Sequence, residues 1–427
     1  MKKNIIFAVM MAMVVLMSAC SNDERPGSMG NMDGRGQSRI AGEAKTVLVY
    51  MAGRNDLYNA LEGDLREIKE GSKLLSENHN MLVFVRRYKN DAQPWLARIK
   101  NGEVTDSVSV SDMGIVSNDG MNRASDPDVM AGVLRYAFKH YPADNNNYGL
   151  VLWGHGSGWN VEKQVKTKKS LSNQRAFGID LGNSNNWNEG CWINFPTMKD
   201  ILKELPHLKF IMGDCCNLMC LENLYELRNV CDYIIGSPAE IPGQGAPYDK
   251  ILPDMFADGK FYSNIIKKYY TSVEVPLTAV QTCEMEHVAQ ATRQALQSVK
   301  AKIGDSYADM TGMIHYYHTD VSSEFYPEYN IFYDAGDFMS TYAPKDVYKE
   351  WKQALDKAIV ELHTATVWNT DKKWILKYSD FTVTDEKMHG VSMFVQLDPA
   401  KGNHAKYNKD IQEFEWYQAA GLPEIGW

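Results

Sequence analysis

Residues 148–159 (YGLVLWGHGSGW) and 208–223 (LKFIMGDCCNLMCLEN) are apolar runs that stop abruptly, the first at His155 and the second at Cys215 and Cys216. An imidazole and a thiol, each just past a strand, are the parts of a cysteine nucleophile and its acid/base partner. The chemistry these residue types raise first is that of a cysteine hydrolase.

Cys216 follows a predicted strand and precedes a predicted helix over 217–229, so its thiol is expected near a helix N-terminus, where partial positive charge favours the thiolate. Cys215, one residue earlier, is expected to point the other way, into packed surface. His155 stands between Gly154 and Gly156, with Ser157 and Gly158 following. Such a frame lets backbone approach a bound substrate and frees an N–H to face it. The plainer readings are small core cysteines and a satisfied structural histidine. Zinc is a further alternative through Cys215, Cys216 and Cys220, but no CxxC or HxxxH pair accompanies them.

These side chains need elements to bring them together. Apolar, Val-rich segments at 46–52 and 81–88 read as strands, with a helical spacing of Leu57, Leu61, Leu65 and Ile68 between them. Residues 95–113 alternate around Asn101-Gly102, a hairpin signature. A helix over 126–140 is capped by Asp126 or Asp128 and stopped by Pro142. The strand at Tyr148, a long polar loop, a helix at 196–204, the strand at Leu208 and a strand at 232–237 follow. Further on, 277–284 and 389–397 read as strands, and 285–303 and 346–363 as helices.

This alternation predicts an α/β fold, a mostly parallel sheet with helices on both faces. Functional groups in such sheets collect at the carboxyl ends of strands, which puts His155 and Cys216 on one edge. The expected organisation is a signal at 1–20, a flexible tether at 21–45 and a catalytic core at 46–260. A C-terminal region at 261–427 extends the sheet and adds a helical subdomain.

The chain has 427 residues, 44% hydrophobic and 23% charged, a globular composition. Lys2 and Lys3, an apolar stretch and Met17-Ser18-Ala19-Cys20 read as an export signal too short to span a membrane. The segment resembles a bacterial lipoprotein signal, which implies lipidation of Cys20 and an envelope protein anchored to the outer membrane, and Ser21-Asn22-Asp23-Glu24 resembles the acidic post-cysteine signals of surface lipoproteins; a plain cleaved signal with Cys20 as a bystander is the alternative. Loss of two signal lysines takes the formal charge from -9 to -11, unsuited to nucleic acid.

WGHGSGW and GDCCNLMCLEN together resemble the clostripain family of cysteine peptidases, which has a caspase-like fold. MAGRNDL (51–57), HYPADNNNYGLVLW, YDAGDF (333–338), GVSMFV (390–395) and YNKDIQEFEWYQAAGL extend the resemblance over most of the chain. It implies an endopeptidase cleaving protein or peptide substrates after Arg or Lys at P1. Cys216 becomes the nucleophile and His155 the acid/base, with backbone N–H groups of Gly156 and Cys216 holding the oxyanion. Asp214 becomes the acidic base of the P1 pocket, and Cys215 stands where the family has Ala. Arg54 replaces an acidic residue common in the family. Members are often made as precursors cut after the histidine, and here that loop carries Lys166, Lys168 and Lys169, with Lys169 the expected self-cleavage site. No cofactor is required, although calcium stays open through the acidic loop at 119–128, which lacks EF-hand spacing. The rival expectation is an inactive, peptidase-like surface lipoprotein that binds peptides or host proteins.

Overall fold

The computed structural model describes residues 42–88, 93–117, 119–161, 176–316, 331–365 and 383–427, all within one compact unit. Strand β1 (Lys45–Ala52) is buried along its whole length. Its Leu48, Tyr50 and Ala52 enter one apolar cluster while Val47, Val49 and Met51 enter another. Both faces of the strand are therefore covered, which is why it reads as an unbroken apolar run.

Helix α1 (Tyr58–Ser72) leads to β2 (His79–Arg86), parallel to β1. Strands β3 (Trp95–Lys100) and β4 (Glu103–Ser109) form the expected hairpin, with Asn101 and Gly102 at φ 50° and 84° as a tight primed turn demands. In α2 (Pro127–His140) the Asp126 carboxylate accepts the Asp128 N–H, so Asp126 is the cap. Next come β5 (Tyr148–Trp153), the small hairpin β6 (Phe177–Asp180) and β7 (Cys191–Ile193), α3 (Phe195–Lys203) and β8 (Leu208–Asp214). Then follow α4 (Leu221–Glu226), β9 (Cys231–Gly236), α5 (Tyr248–Met255), α6 (Phe261–Ser272), β10 (Leu277–Gln281) and α7 (Met285–Ile303). The C-terminal part adds β11 (Tyr333–Asp334), α8 (Ala335–Tyr342), α9 (Lys345–Ala358), β12 (Ile359–His363), β13 (Ser392–Met393), α10 (His404–Asp410) and α11 (Glu415–Ala419).

Among the described residues, nine strands form one sheet in the order β12-β10-β9-β8-β5-β1-β2-β3-β4. The run from β9 through β8, β5 and β1 to β2 is parallel, and the strands beyond each end are antiparallel. This is the mostly parallel α/β sheet expected. Strands β10 and β12, both beyond residue 260, extend it on one side.

Several elements differ from the sequence reading, among them the short strands β6 and β7 inside the expected polar loop. The helix expected over 217–229 begins only at Leu221, because Asn217 takes a left-handed φ of 56° and donates its amide to Pro238 O and Tyr316 O. The helix expected over 346–363 ends at Ala358, where β-branched Ile359 and Val360 leave it and begin β12, which pairs with β10. The strand expected over 389–397 shrinks to two residues, since its Ser392 and Phe394 N–H groups go to Met219 O and the Glu222 carboxylate.

Candidate active site

The parallel pairing of β5 with β8 sets Trp153 opposite Asp214. His155 and Cys216 each lie two residues beyond that pair, so the register alone brings them to the same sheet edge. Gly154 carries the chain past β5 at φ 144°, a conformation open to glycine, and donates its N–H to Asp214 O.

Gly156 is pressed against the other segment. A Cβ built there would lie 2.5 Å from Cys216 O and 3.1 Å from Cys215 Cβ, so no larger residue fits. Its neighbours form the bridge to β6: Gly178 N–H donates to His155 O and Ser157 N–H to Ala176 O. In such a bridge the N–H of the middle residue points away from the partner strand, as an oxyanion donor would require.

The two cysteines separate as expected. Cys215 is buried, and burial pushes its thiol well above the ordinary range. Cys216 is half-buried, and its Sγ accepts the Ile241 N–H at 3.4 Å. The expectation of a helix N-terminus at Cys216 is corrected, because α4 starts five residues later with Cys220 as its cap. A backbone donor from the loop after β9 stands there instead.

His155 Nε2 lies 2.7 Å from Asp56 Oδ1, and the ring is edge-on to Trp187 with centroids 5.6 Å apart. Burial alone would raise the Asp56 carboxyl, but the bond to His155 and its charge outweigh burial and hold it below the ordinary range. Asp56 and Trp192 were missed by the sequence reading. The signals for Asp56 were its place four residues past β1 and inside the MAGRNDL segment that carries part of the family resemblance.

Asp56, His155, Gly156, Asp214, Cys216 and Glu240 share the lining of one cavity of about 310 Å³. Its lining contains carboxylates but, among the described residues, no Lys or Arg. Asp214 is 3% exposed and accepts from Ala246 N–H at 3.0 Å and from the Tyr248 and Tyr269 hydroxyls, each at 2.9 Å. It does not cap a helix, and its three donors mean that a cationic partner is not its sole support. Burial pushes the Asp214 carboxyl up against the pull of those donors. Asp64 on α1 accepts from Trp153 Nε1 at 2.6 Å and is pushed up to about 9, by burial first and then by the Asp214 charge. With three donors against one, the negative charge rests on Asp214 and the proton on Asp64.

Arg54 is wholly buried, stacks over the Tyr88 ring at 4.5 Å and donates to Ser184 O at 3.3 Å. It thus ties the end of β1 to the loop carrying Trp187. In the loop at 119–128, Asp119 pairs with Arg123 and Asp126 caps α2. Among the described residues no three His, Cys, Asp or Glu side chains gather as a metal site. Lys166, Lys168, Lys169 and Cys20 lie outside the described residues.

A sequence model of the clostripain family (Peptidase_C11) matches residues 49–427. A solved structure of a secreted C11 cysteine protease from Bacteroides thetaiotaomicron, in complex with an irreversible peptide inhibitor, is 27% identical with a TM-score of 0.69, covering 89% of this chain and 99% of that one. An inactive zymogen C11 protease from Parabacteroides distasonis is 24% identical with a TM-score of 0.67 over the same shares, a likeness of fold. No curated protein matches this sequence significantly.

Proposed function

Because this chain belongs to the clostripain family of cysteine proteases, we propose that it is an endopeptidase cutting after Arg or Lys, with Cys216 as nucleophile and His155 as acid/base. The observation that carries the proposal is the single cavity lined by His155, Gly156, Cys216 and Asp214. Cys216 attacks the scissile carbonyl as a thiolate, its proton held by His155 and then passed to the leaving amine. The Gly156 and Cys216 N–H groups hold the oxyanion, donors of a kind worth about 3 kcal/mol each.

The P1 preference follows from charge. A cavity whose lining offers the carboxylates of Asp214 and Glu240 but, among the described residues, no Lys or Arg favours a cationic side chain. Asp214 is the base of that pocket.

Self-cleavage in the loop at 162–175 activates the enzyme in this reading, with Lys169 the first choice over Lys168 and Lys166. The end of that loop at Ala176 starts beside the site, since Ala176 O accepts the Ser157 N–H two residues past His155. The N-terminal Cys20 carries lipid and holds the enzyme at the cell envelope.

Turnover of fluorogenic Arg and Lys peptides by the wild type and Cys216→Ala tests the assignment. Turnover by the wild type alone is expected; equal rates would remove Cys216 as nucleophile, and no turnover after loop cleavage would favour a binding protein. A wild type that stays one chain while fully active would refute activation by self-cleavage. Lipidation predicts fatty-acid labelling that disappears in Cys20→Ser.

A further inference from the structure

A dyad leaves Asp56 without a task, yet its carboxylate is 2.7 Å from the ring of the acid/base histidine. We propose that Asp56 is a positioning residue for His155, holding the imidazole through Nε2 so that Nδ1 is the nitrogen offered to the Cys216 thiol. This rests on the assignment of His155 and Cys216 made above.

The segment carrying Asp56 is fixed from both sides. Gly53 N–H donates to Arg86 O, Leu181 N–H donates to Arg54 O, and the buried Asn55 amide donates to Ala52 O at 2.8 Å and Ile179 O at 2.9 Å. Asn55 Oδ1 in turn accepts the Leu57 N–H at 3.0 Å. Asp56 is thus held in place by its neighbours and not by the histidine it meets. Nor is it a helix cap, since α1 starts at Tyr58 with Leu57 in the capping position and no side-chain cap bond.

The chemistry needs such a group. A carboxylate on Nε2–H selects the tautomer whose free lone pair is on Nδ1. When the Cys216 S–H bond breaks, its proton forms the Nδ1–H bond and the ring becomes an imidazolium. Asp56 stabilises that cation, and so stabilises the thiolate paired with it, without taking the proton. After the proton passes from Nδ1 to the leaving amine, the ring is neutral again and still oriented. The other titratable groups lining the same cavity are Cys216, Asp214 and Glu240, and the rings of Trp187 and Trp192 pack against the imidazole at centroid distances of 5.6 and 6.4 Å.

Asp56→Asn keeps an oxygen for the Nε2–H bond but removes the charge; Asp56→Ala removes both. The Asp56 side chain is 63% exposed, so both variants should melt within about 2 °C of the wild type. On Arg or Lys peptides, kcat is expected to fall about 10-fold in Asn and about 100-fold in Ala, with KM nearly unchanged. The alkaline limb of kcat/KM should move to lower pH in Asn, because an imidazolium without its anion loses its proton sooner. Iodoacetamide alkylation of Cys216 should likewise slow at acid pH, the thiolate being less well stabilised. An unchanged pH profile with kcat within twofold of wild type would overturn the proposal. If the wild type turns over none of these peptides, the specificity assigned above has failed, and the alkylation profile still decides the role of Asp56 by itself.

Discussion

Gly156 is where the site has least room. Its missing Cβ would sit 2.5 Å from the carbonyl oxygen of the proposed nucleophile, an atom of the main chain that cannot swing aside. Gly156→Ala is therefore expected to lower kcat/KM by about 100-fold or more by spoiling the oxyanion geometry while the protein stays folded, as read by peptide turnover beside a thermal melt. Cys215→Ala should behave oppositely. The residue is a buried thiol beside the site and not in it, so activity within about threefold of wild type is expected. At this scale the sequence was legible where residue type carried the message: His155, Cys215, Cys216 and Asp214 all stand near the cavity as their strand-end positions suggested. Glu240 was not legible, and Asp56 only as one letter of the MAGRNDL segment, because an acidic residue in a loop looks like any solvated carboxylate until a fold brings a histidine or a cavity to it.

The elements set how the carboxylates beneath the cavity share charge. Helix α1 delivers Asp64 to the underside of Trp153, and β8 delivers Asp214 beside it, with Tyr248 of α5 and Tyr269 of α6 as donors. The Asp64 carboxyl keeps its proton in the fold up to about 9, whereas the unfolded chain releases it near the ordinary value of about 4. The folded state therefore binds the extra proton between these values, and stability falls as pH rises through that window. Asp64→Asn removes this dependence and keeps an acceptor for Trp153. Chemical denaturation from pH 5 to 8 should show the variant gaining on the wild type by on the order of 1 kcal/mol per pH unit; parallel curves would mean Asp64 is already ionised. Element types were readable from period and composition, and β1, β2, α2 and α7 fall where expected. The start of α4 was not readable, because Asn217 is set in its left-handed conformation by carbonyls from residues 238 and 316, which no local window contains.

Across the whole molecule, the C-terminal part reaches back to hold the segment after Cys216. Ser392 N–H donates to Met219 O and Phe394 N–H to Glu222. That return is itself pinned by buried Asp334, which accepts from His389 Nδ1 at 3.1 Å and from the Tyr316 hydroxyl at 2.5 Å. Burial would lower the His389 imidazole, but the hydrogen bond and charge of Asp334 outweigh it and raise it above its ordinary value. The stability this pair contributes is complete below about pH 6.5 and is lost as pH rises through the folded-state value. Asp334→Ala should cost about 3 kcal/mol or more, read by denaturation near pH 6, because it strands several buried donors at once.

The order of the strands has one more consequence. Everything before the loop at 162–175 supplies β5, β1, β2, β3 and β4, and everything after it supplies β8, β9, β10 and β12. The sheet thus divides into two contiguous halves that meet along a single seam, β5 against β8, with His155 on one bank and Cys216 on the other. Severing that loop would turn the chain into an obligate heterodimer whose catalytic pair exists only at the joint. Its two pieces should migrate separately under denaturing conditions, run as one particle otherwise, and regain peptide turnover only when refolded together.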